Sequence, residues 1–220
     1  MTSLAGRDEV TAAAVDVGRV TDVVLASAGL VVGAPLLGAI AAAVRLDSGA
    51  PVLFRQERVG RGGRTFEILK FRSMRSAPPG GPLVSATGDA RVTCVGAVLR
   101  STKLDELPQL VNVVRGDMSL VGPRPEVPRY VALWPQQDRD VILSVRPGIT
   151  DPASIAGLDE GDELAGQADP ERYYVDVILP RKAALYVEYV RGRTWSSDVR
   201  ILGRTVLAVA ARRTPWRRRR

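Results

Sequence analysis

The sequence predicts an α+β fold, in which one long apolar helix precedes a β-hairpin and several surface helices. Three observations predict it. Residues 23–44 carry no charge and run for about 22 residues, long enough for a helix to span a bilayer core. Residues 51–74 hold two runs of strand-forming side chains around a glycine cluster. Beyond residue 100, apolar side chains recur at helical spacing between proline and glycine breaks.

The elements follow in order. Residues 1–16 are small and mixed in charge, and read as a loose tail without the basic n-region of a signal peptide. In the apolar segment, Pro35 follows Gly33 and Ala34, removes a ladder hydrogen bond and predicts a kink. Two membrane topologies stay open: the helix crosses, or it bends at Pro35 and returns to the side it came from. A buried helix of a soluble core is the competing reading. Arg45, Arg55, Arg58, Arg61 and Arg64 place the following flank in the cytoplasm by the positive-inside rule.

Val52-Leu53-Phe54 begins one strand, Gly60-Arg61-Gly62-Gly63 turns, and residues 65–72 form the second. Period two puts Phe66, Ile68, Lys70 and Arg72 on one face. Residues 76–88 are rich in Pro, Gly and Ser and read as a loop, and the acidic stretch 159–169 reads as a solvated loop. Residues 105–114 have helical character, with Asp105 as cap. Asp169-Pro170-Glu171 starts another helix, which residues 185–190 continue or follow. The segment 197–213 has Val199, Leu202, Val206 and Val209 at helical spacing; it suits a bilayer interface or a core equally. The end, Arg212 to Arg220, is polybasic with one tryptophan and suits an anionic surface.

Composition narrows the chemistry. The 220 residues include 31 Lys+Arg against 24 Asp+Glu, a net +7 that favours anionic partners. The single cysteine, Cys94, excludes an internal disulfide and a thiolate metal cluster, and reads as a small buried residue. With no histidine, a Ser-His-Asp triad and a His-ligated zinc are excluded. Proton or phosphoryl chemistry must use carboxylates, Lys, Arg, Tyr or an oxygen-held metal.

The run Lys103-Leu104-Asp105-Glu106-Leu107-Pro108-Gln109-Leu110 concentrates that chemistry. Asp105 and Glu106 either cap a helix and complement its dipole, or divide labour as nucleophile and cation ligand. Arg124, held between Pro123 and Pro125, either presents a guanidinium to a phosphate or decorates a rigid turn. Arg146-Pro147-Gly148 is a similar, weaker turn. Lys70 and Arg72 are phosphate contacts or a solvated face, and Arg100, five residues before Asp105, reaches toward the same pocket. There is no GxxxxGK[ST] loop, and the hairpin glycines do not make a dinucleotide fingerprint.

The residues also resemble a known family. Arg19-x-x-Asp22, Phe54-Arg55-Gln56-Glu57-Arg58-Val59-Gly60, Lys70-Phe71-Arg72-Ser73-Met74, Leu99-Arg100-x-x-x-Leu104-Asp105-Glu106-Leu107-Pro108-Gln109, Gly116-Asp117-Met118-Ser119-Leu120-Val121-Gly122-Pro123-Arg124-Pro125 and Arg146-Pro147-Gly148-Ile149-Thr150 stand in the order seen in the bacterial sugar transferases of the monotopic phosphoglycosyl transferase superfamily. The resemblance runs from about Gly18 to Leu207. It implies transfer of a phosphosugar from a UDP-sugar to a polyprenyl phosphate, with UMP released. It implies Asp105 as nucleophile and Glu106 as the carboxylate associated with Mg²⁺. It further implies phosphate contacts at Arg100 and Arg124, and a re-entrant helix broken at Pro35. The expected organisation is a tail (1–18), a membrane helix (19–46), a catalytic domain (47–210) and a polybasic tail (211–220). The expected location is the cytoplasmic face of the bacterial inner membrane, among its lipids, with a homodimer open as an assembly and nucleic acid not expected as a partner. The expected pathway is synthesis of a surface glycan such as exopolysaccharide or O-antigen. Alternatives are a transferase for soluble acceptors and a non-catalytic basic adaptor.

Three positions depart from the pattern. Ala34 stands where serine is common, Lys103 where Ser or Thr is common, and Asp151-Pro152-Ala153-Ser154-Ile155 replaces Gly-Trp-Ala-Gln, so donor specificity is not inherited. The chain resembles a minimal catalytic form without the multi-span region of larger members.

Overall fold

A computed structural model describes residues 5–75, 84–151, 153 and 160–211, with side chains within 18–207. Helix α1 (Ala5–Ser48) leads into the antiparallel hairpin of β1 (Leu53–Val59) and β2 (Thr65–Phe71), paired from Leu53↔Phe71 to Val59↔Thr65. Helix α2 (Cys94–Thr102), a 3₁₀ turn (Leu104–Glu106) and α3 (Gln109–Arg115) follow. Strand β3 (Ser119–Val121) pairs in parallel with β4 (Gly148–Thr150), and α4 (Pro128–Val131) and α5 (Gln136–Ile142) lie between them. Helices α6 (Glu160–Ala165), α7 (Pro170–Tyr173), α8 (Leu179–Gly192) and α9 (Trp195–Ala211) complete the described chain. A π turn (Tyr174–Ile178) joins α7 to α8, where Pro180 lacks the donor for a regular ladder. The architecture is α+β, as expected.

Several expectations need correction. Residues 5–16 are helix rather than loose tail: their Ala, Glu and Arg side chains favour helix, and α1 continues through them. Pro35 lies inside α1, with helix on both sides of it. Cys94 is exposed, because it is the first residue of α2, outside the Thr93 cap whose hydroxyl accepts from Gly96 N at 3.0 Å. The acidic stretch holds α6, because Glu160, Asp162 and Glu163 complement the helix N-terminus and α8 supplies counter-ions: Arg181 to Glu163 at 2.7 Å and Lys182 to Glu160 at 3.0 Å. The tip of the 76–88 loop (76–83), Asp159 and the tail 212–220 lie outside the described residues.

The start at Asp169-Pro170 is as expected, with Asp169 Oδ1 accepting from Arg172 N at 3.0 Å. So is the hairpin, whose turn needs Gly62 and Gly63 at φ 67° and 79°.

Helix α1 is bound to the rest of the molecule near both ends of its apolar span. Arg19 donates to the Val114 and Met118 carbonyls at 3.3 Å, and Asp22 accepts from Ser119 Oγ at 2.6 Å and Leu120 N at 3.2 Å. Farther along, Ile40 and Val44 pack with Phe71 and Leu99. At the end, Arg72 donates to the Ser48 and Gly49 carbonyls, and Asp47 accepts from Val95 N. Between these anchors Val31 and Val32 are 75% and 82% exposed, in a span (Gly18–Ser48) that contains an 18-residue window of mean hydropathy 2.2. A run of that length and apolarity, bare of protein on one side, suits lipid.

A buried cluster fixes the segment after Arg124. Glu126 Oε1 accepts from Lys182 Nζ at 2.5 Å and Tyr174 Oη at 2.7 Å, while Arg58 lies 3.6 Å from Oε2 and donates to the Pro125 carbonyl at 3.0 Å. Burial opposes the charge on Glu126, but Lys182 and Arg58 hold its pKa below the ordinary value. Around it stand Tyr130, Trp134, Ile142, Leu164, Ile178 and Tyr186.

Two stability outcomes are expected. Lys182→Met, which strands the Glu126 charge in this core, should cost about 3–5 kcal/mol, and adding Glu126→Gln should recover part of it; denaturant titration of single and double variants checks this. Gly96→Ala would drive a Cβ into the Ser73 carbonyl and should cost about 1–3 kcal/mol in the same titration.

Candidate active site

Three elements deliver the site. Lys103 ends α2 in the left-handed region at φ 59°, a conformation that disfavours a non-glycine residue. The chain turns there, so the 3₁₀ turn carries Asp105 and Glu106 inward, at 7% and 8% exposure. Strand β2 brings Lys70, whose Nζ lies 3.0 Å from Glu106 Oε1. The Pro123-Arg124-Pro125 loop follows β3 and brings Arg124, whose Nη2 lies 2.5 Å from Oε1 and Nη1 3.4 Å from Oε2. That loop is held by Gly148 N donating to the Pro123 carbonyl and Val59 N to the Glu126 carbonyl, both at 2.9 Å.

The two carboxylates are treated differently. Burial pushes Glu106 up, but Arg124 and Lys70 overcome it and hold its pKa well below the carboxylate range. Asp105 has no such partner. Its burial, and then the Glu106 charge, raise its pKa, against weaker opposing pulls from Lys70, Lys103 and Arg100. Asp105 Oδ1 is buried without a hydrogen-bond partner. Burial lowers Lys70 to about 8, with Glu106 pulling it back up. The arrangement is a buried carboxylate with an open oxygen, beside a second carboxylate that fixes two cations.

The structure brings Asp105, Glu106, Lys70 and Arg124 together, with Arg100 close enough to act on Asp105 electrostatically. Arg100 itself donates to Met74 Sδ at 3.5 Å and Ser85 Oγ at 3.4 Å. Two expected contacts lie elsewhere. Arg72 is spent on the end of α1, and Arg146 donates to the Gly116 carbonyl at 3.0 Å, among Arg19, Arg61, Asp22 and Arg193. Backbone carbonyls at loop and helix ends, which sequence spacing does not locate, claim both guanidinium groups. Asp105 is not the expected helix cap, because Lys103 turns the chain one residue pair earlier and α3 starts at Gln109. Lys182 and Glu126, which anchor the Arg124 loop, escaped the sequence reading. Glu126 directly follows Pro125, which was a usable signal; Lys182 offered none.

A divalent cation meets a thin donor set here. Among the described residues no three acidic, His or Cys side chains converge. Glu106 is engaged by Arg124 and Lys70, so a cation on Glu106 does not fit the arrangement as it stands, against the ligand role expected for it. Asp105, outside those ion pairs, is the carboxylate left for a cation. This fits Mg²⁺ that draws most of its ligands from phosphate and water and one carboxylate from the protein.

The chain is similar to known proteins along most of its length. A family model described as "Bacterial sugar transferase" matches residues 14–212. The UDP-glucose:undecaprenyl-phosphate glucose-1-phosphate transferase of Caulobacter vibrioides is 40% identical over 202 residues, covering 86% of this chain and 67% of that one. The enzyme of the same name from Escherichia coli is 38% identical over 86% of this chain but only 39% of its own length. The exopolysaccharide production protein ExoY of Rhizobium meliloti is 35% identical, over 89% of this chain and 86% of its own. With a family match from residue 14 to 212, and the buried Asp105-Glu106 pair inside it, the chain belongs to the bacterial sugar transferase family.

Proposed function

We propose that this chain moves a sugar-1-phosphate from a UDP-sugar to a polyprenyl phosphate, through a phosphosugar carried on Asp105. The observation that carries the reading is the contrast between the carboxylates: Asp105 keeps an unpartnered buried oxygen, while Glu106 holds Lys70 and Arg124 beside it. A carboxylate nucleophile must be free of ion pairs, with positive charge around the phosphate it attacks.

The steps balance without an added reactant. The Asp105 carboxylate forms a bond to the β-phosphorus as the bond from that phosphorus to the bridging oxygen breaks, and UMP leaves with the bridging oxygen. An oxygen of the polyprenyl phosphate then attacks the same phosphorus, and Asp105 departs as a carboxylate. Arg124 and Lys70 stand where they can bind phosphate oxygens in both steps, with Glu106 setting their positions. Arg100 and Lys103 favour the ionised form of Asp105 against its burial. Mg²⁺, with Asp105 as its protein ligand, would supply further neutralisation of diphosphate charge.

The reading places the chain at the cytoplasmic face of the bacterial inner membrane with α1 returning to the side it enters. Supporting this, Arg19 and Asp22 near one end and Asp47 and Ser48 at the other all bond the same folded unit. Ties from both ends to one folded unit favour the same side of a bilayer for both. One relative, ExoY, is named an exopolysaccharide production protein, which supports a role in surface glycan assembly.

Purified protein given UDP-glucose, polyprenyl phosphate and Mg²⁺ should release UMP and should stop when the cation is chelated. Asp105→Asn should lose at least about 10³-fold in turnover while its thermal midpoint stays near that of the parent; wild-type turnover in that variant would sink the covalent reading. For topology, Asp8→Cys and Arg55→Cys, each in a Cys94→Ser background, should be labelled from the same face of sealed vesicles. Labelling from opposite faces would establish a crossing helix instead.

A further inference from the structure

Gln109 is a buried polar side chain that the steps above leave without a role. It is 1% exposed, and its Nε2 is buried without a hydrogen-bond partner. Such an orphan donor is uncommon in a folded interior and calls for a reason.

Its neighbours define where it faces. Three residues earlier, Glu106 bonds Lys70 of β2. Three residues later, fully buried Asn112 accepts from Leu69 N at 3.1 Å and donates to the Glu67 carbonyl at 2.7 Å. The path between them is helical, with Leu107 and Pro108 in right-handed conformation and Leu110 N donating to the Leu107 carbonyl. Residues 106, 109 and 112 therefore share the face turned to β2. Side chains on a helix lean toward its N-terminus, which aims the Gln109 amide back at the turn carrying Asp105 and Glu106.

At that turn the Glu106 oxygens already face Arg124 and Lys70, whereas Asp105 Oδ1 is an orphan acceptor. One unpartnered donor and one unpartnered acceptor thus lie about one helical turn apart. We infer that Gln109 is a positioning residue whose side-chain amide donates to Asp105 Oδ1 as the carboxylate attacks, leaving Oδ2 aimed at the phosphorus. The carboxylate has lone pairs enough for both. The inference rests on the assignment of Asp105 as nucleophile.

The test is Gln109→Met, which keeps the length and approximate volume of the side chain and removes its donors. Because the amide is an orphan in the folded chain, its removal should leave the thermal midpoint unchanged or higher. UMP-release kcat should fall ~10- to 100-fold, the worth of a hydrogen bond to a charged group, with donor KM unchanged. Gln109→Glu, which sets a like charge beside Asp105, should fall at least as far. A Met variant with wild-type kcat, or one whose midpoint drops along with its activity, overturns the inference while leaving Asp105 as nucleophile. A wild-type enzyme that releases no UMP from any UDP-sugar sinks the nucleophile assignment and this inference with it.

Discussion

The site depends on one electrostatic constraint: Glu106 is held ionised inside the protein by Lys70 and Arg124. An isolated carboxylate at that depth would be neutralised by burial. Two cations from different elements reverse the balance, and in doing so they draw β2, the 3₁₀ turn and the loop after β3 to a single point. The same contacts preset two cations for a phosphate. In the free site Glu106 offsets part of their charge, so neither cation stands bare before an anion arrives.

Behind this stands a second layer of buried charge. Glu126, next to the Arg124 loop, is locked by Lys182, Tyr174 and Arg58, and Lys182 is in turn shared with Glu160 at the head of α6. The prolines on either side of Arg124 limit its backbone, and the anchored Glu126 limits where that rigid piece can go. Under the proposed reaction, a guanidinium that meets phosphate in a planar, paired geometry gains from both restrictions, because less freedom is lost when the substrate arrives.

The α+β class, the hairpin and the pairing of Asp105-Glu106 with Arg124 and Lys70 are legible in the sequence, because each rests on local pattern or on unusual residue types in short runs. What is not legible is decided by distant backbone. Arg72 and Arg146 look as suited to phosphate as Arg124 does, yet carbonyls of Ser48, Gly49 and Gly116 take them. Asp105 has the form of a helix cap, and only the left-handed Lys103 shows that the chain bends before it and buries it. The parallel pairing of three-residue β3 and β4 is too short to leave a periodic signature. Lys182 sits in an ordinary amphipathic helix, and nothing near it in the chain announces a partner 56 positions away.

The bonds that Arg19, Asp22, Asp47 and Arg72 make to or from α1 have a mechanical meaning. They leave no hinge between the apolar helix and the body that bears Asp105, so the two tilt and sink together. Whatever height Val31 and Val32 adopt in a surrounding hydrocarbon layer sets the height of Asp105 as well. Reach is thus built in as a fixed offset rather than searched for by a swinging arm, and under the proposed reaction a long-chain acceptor confined to that layer has to bring its own headgroup up to meet it.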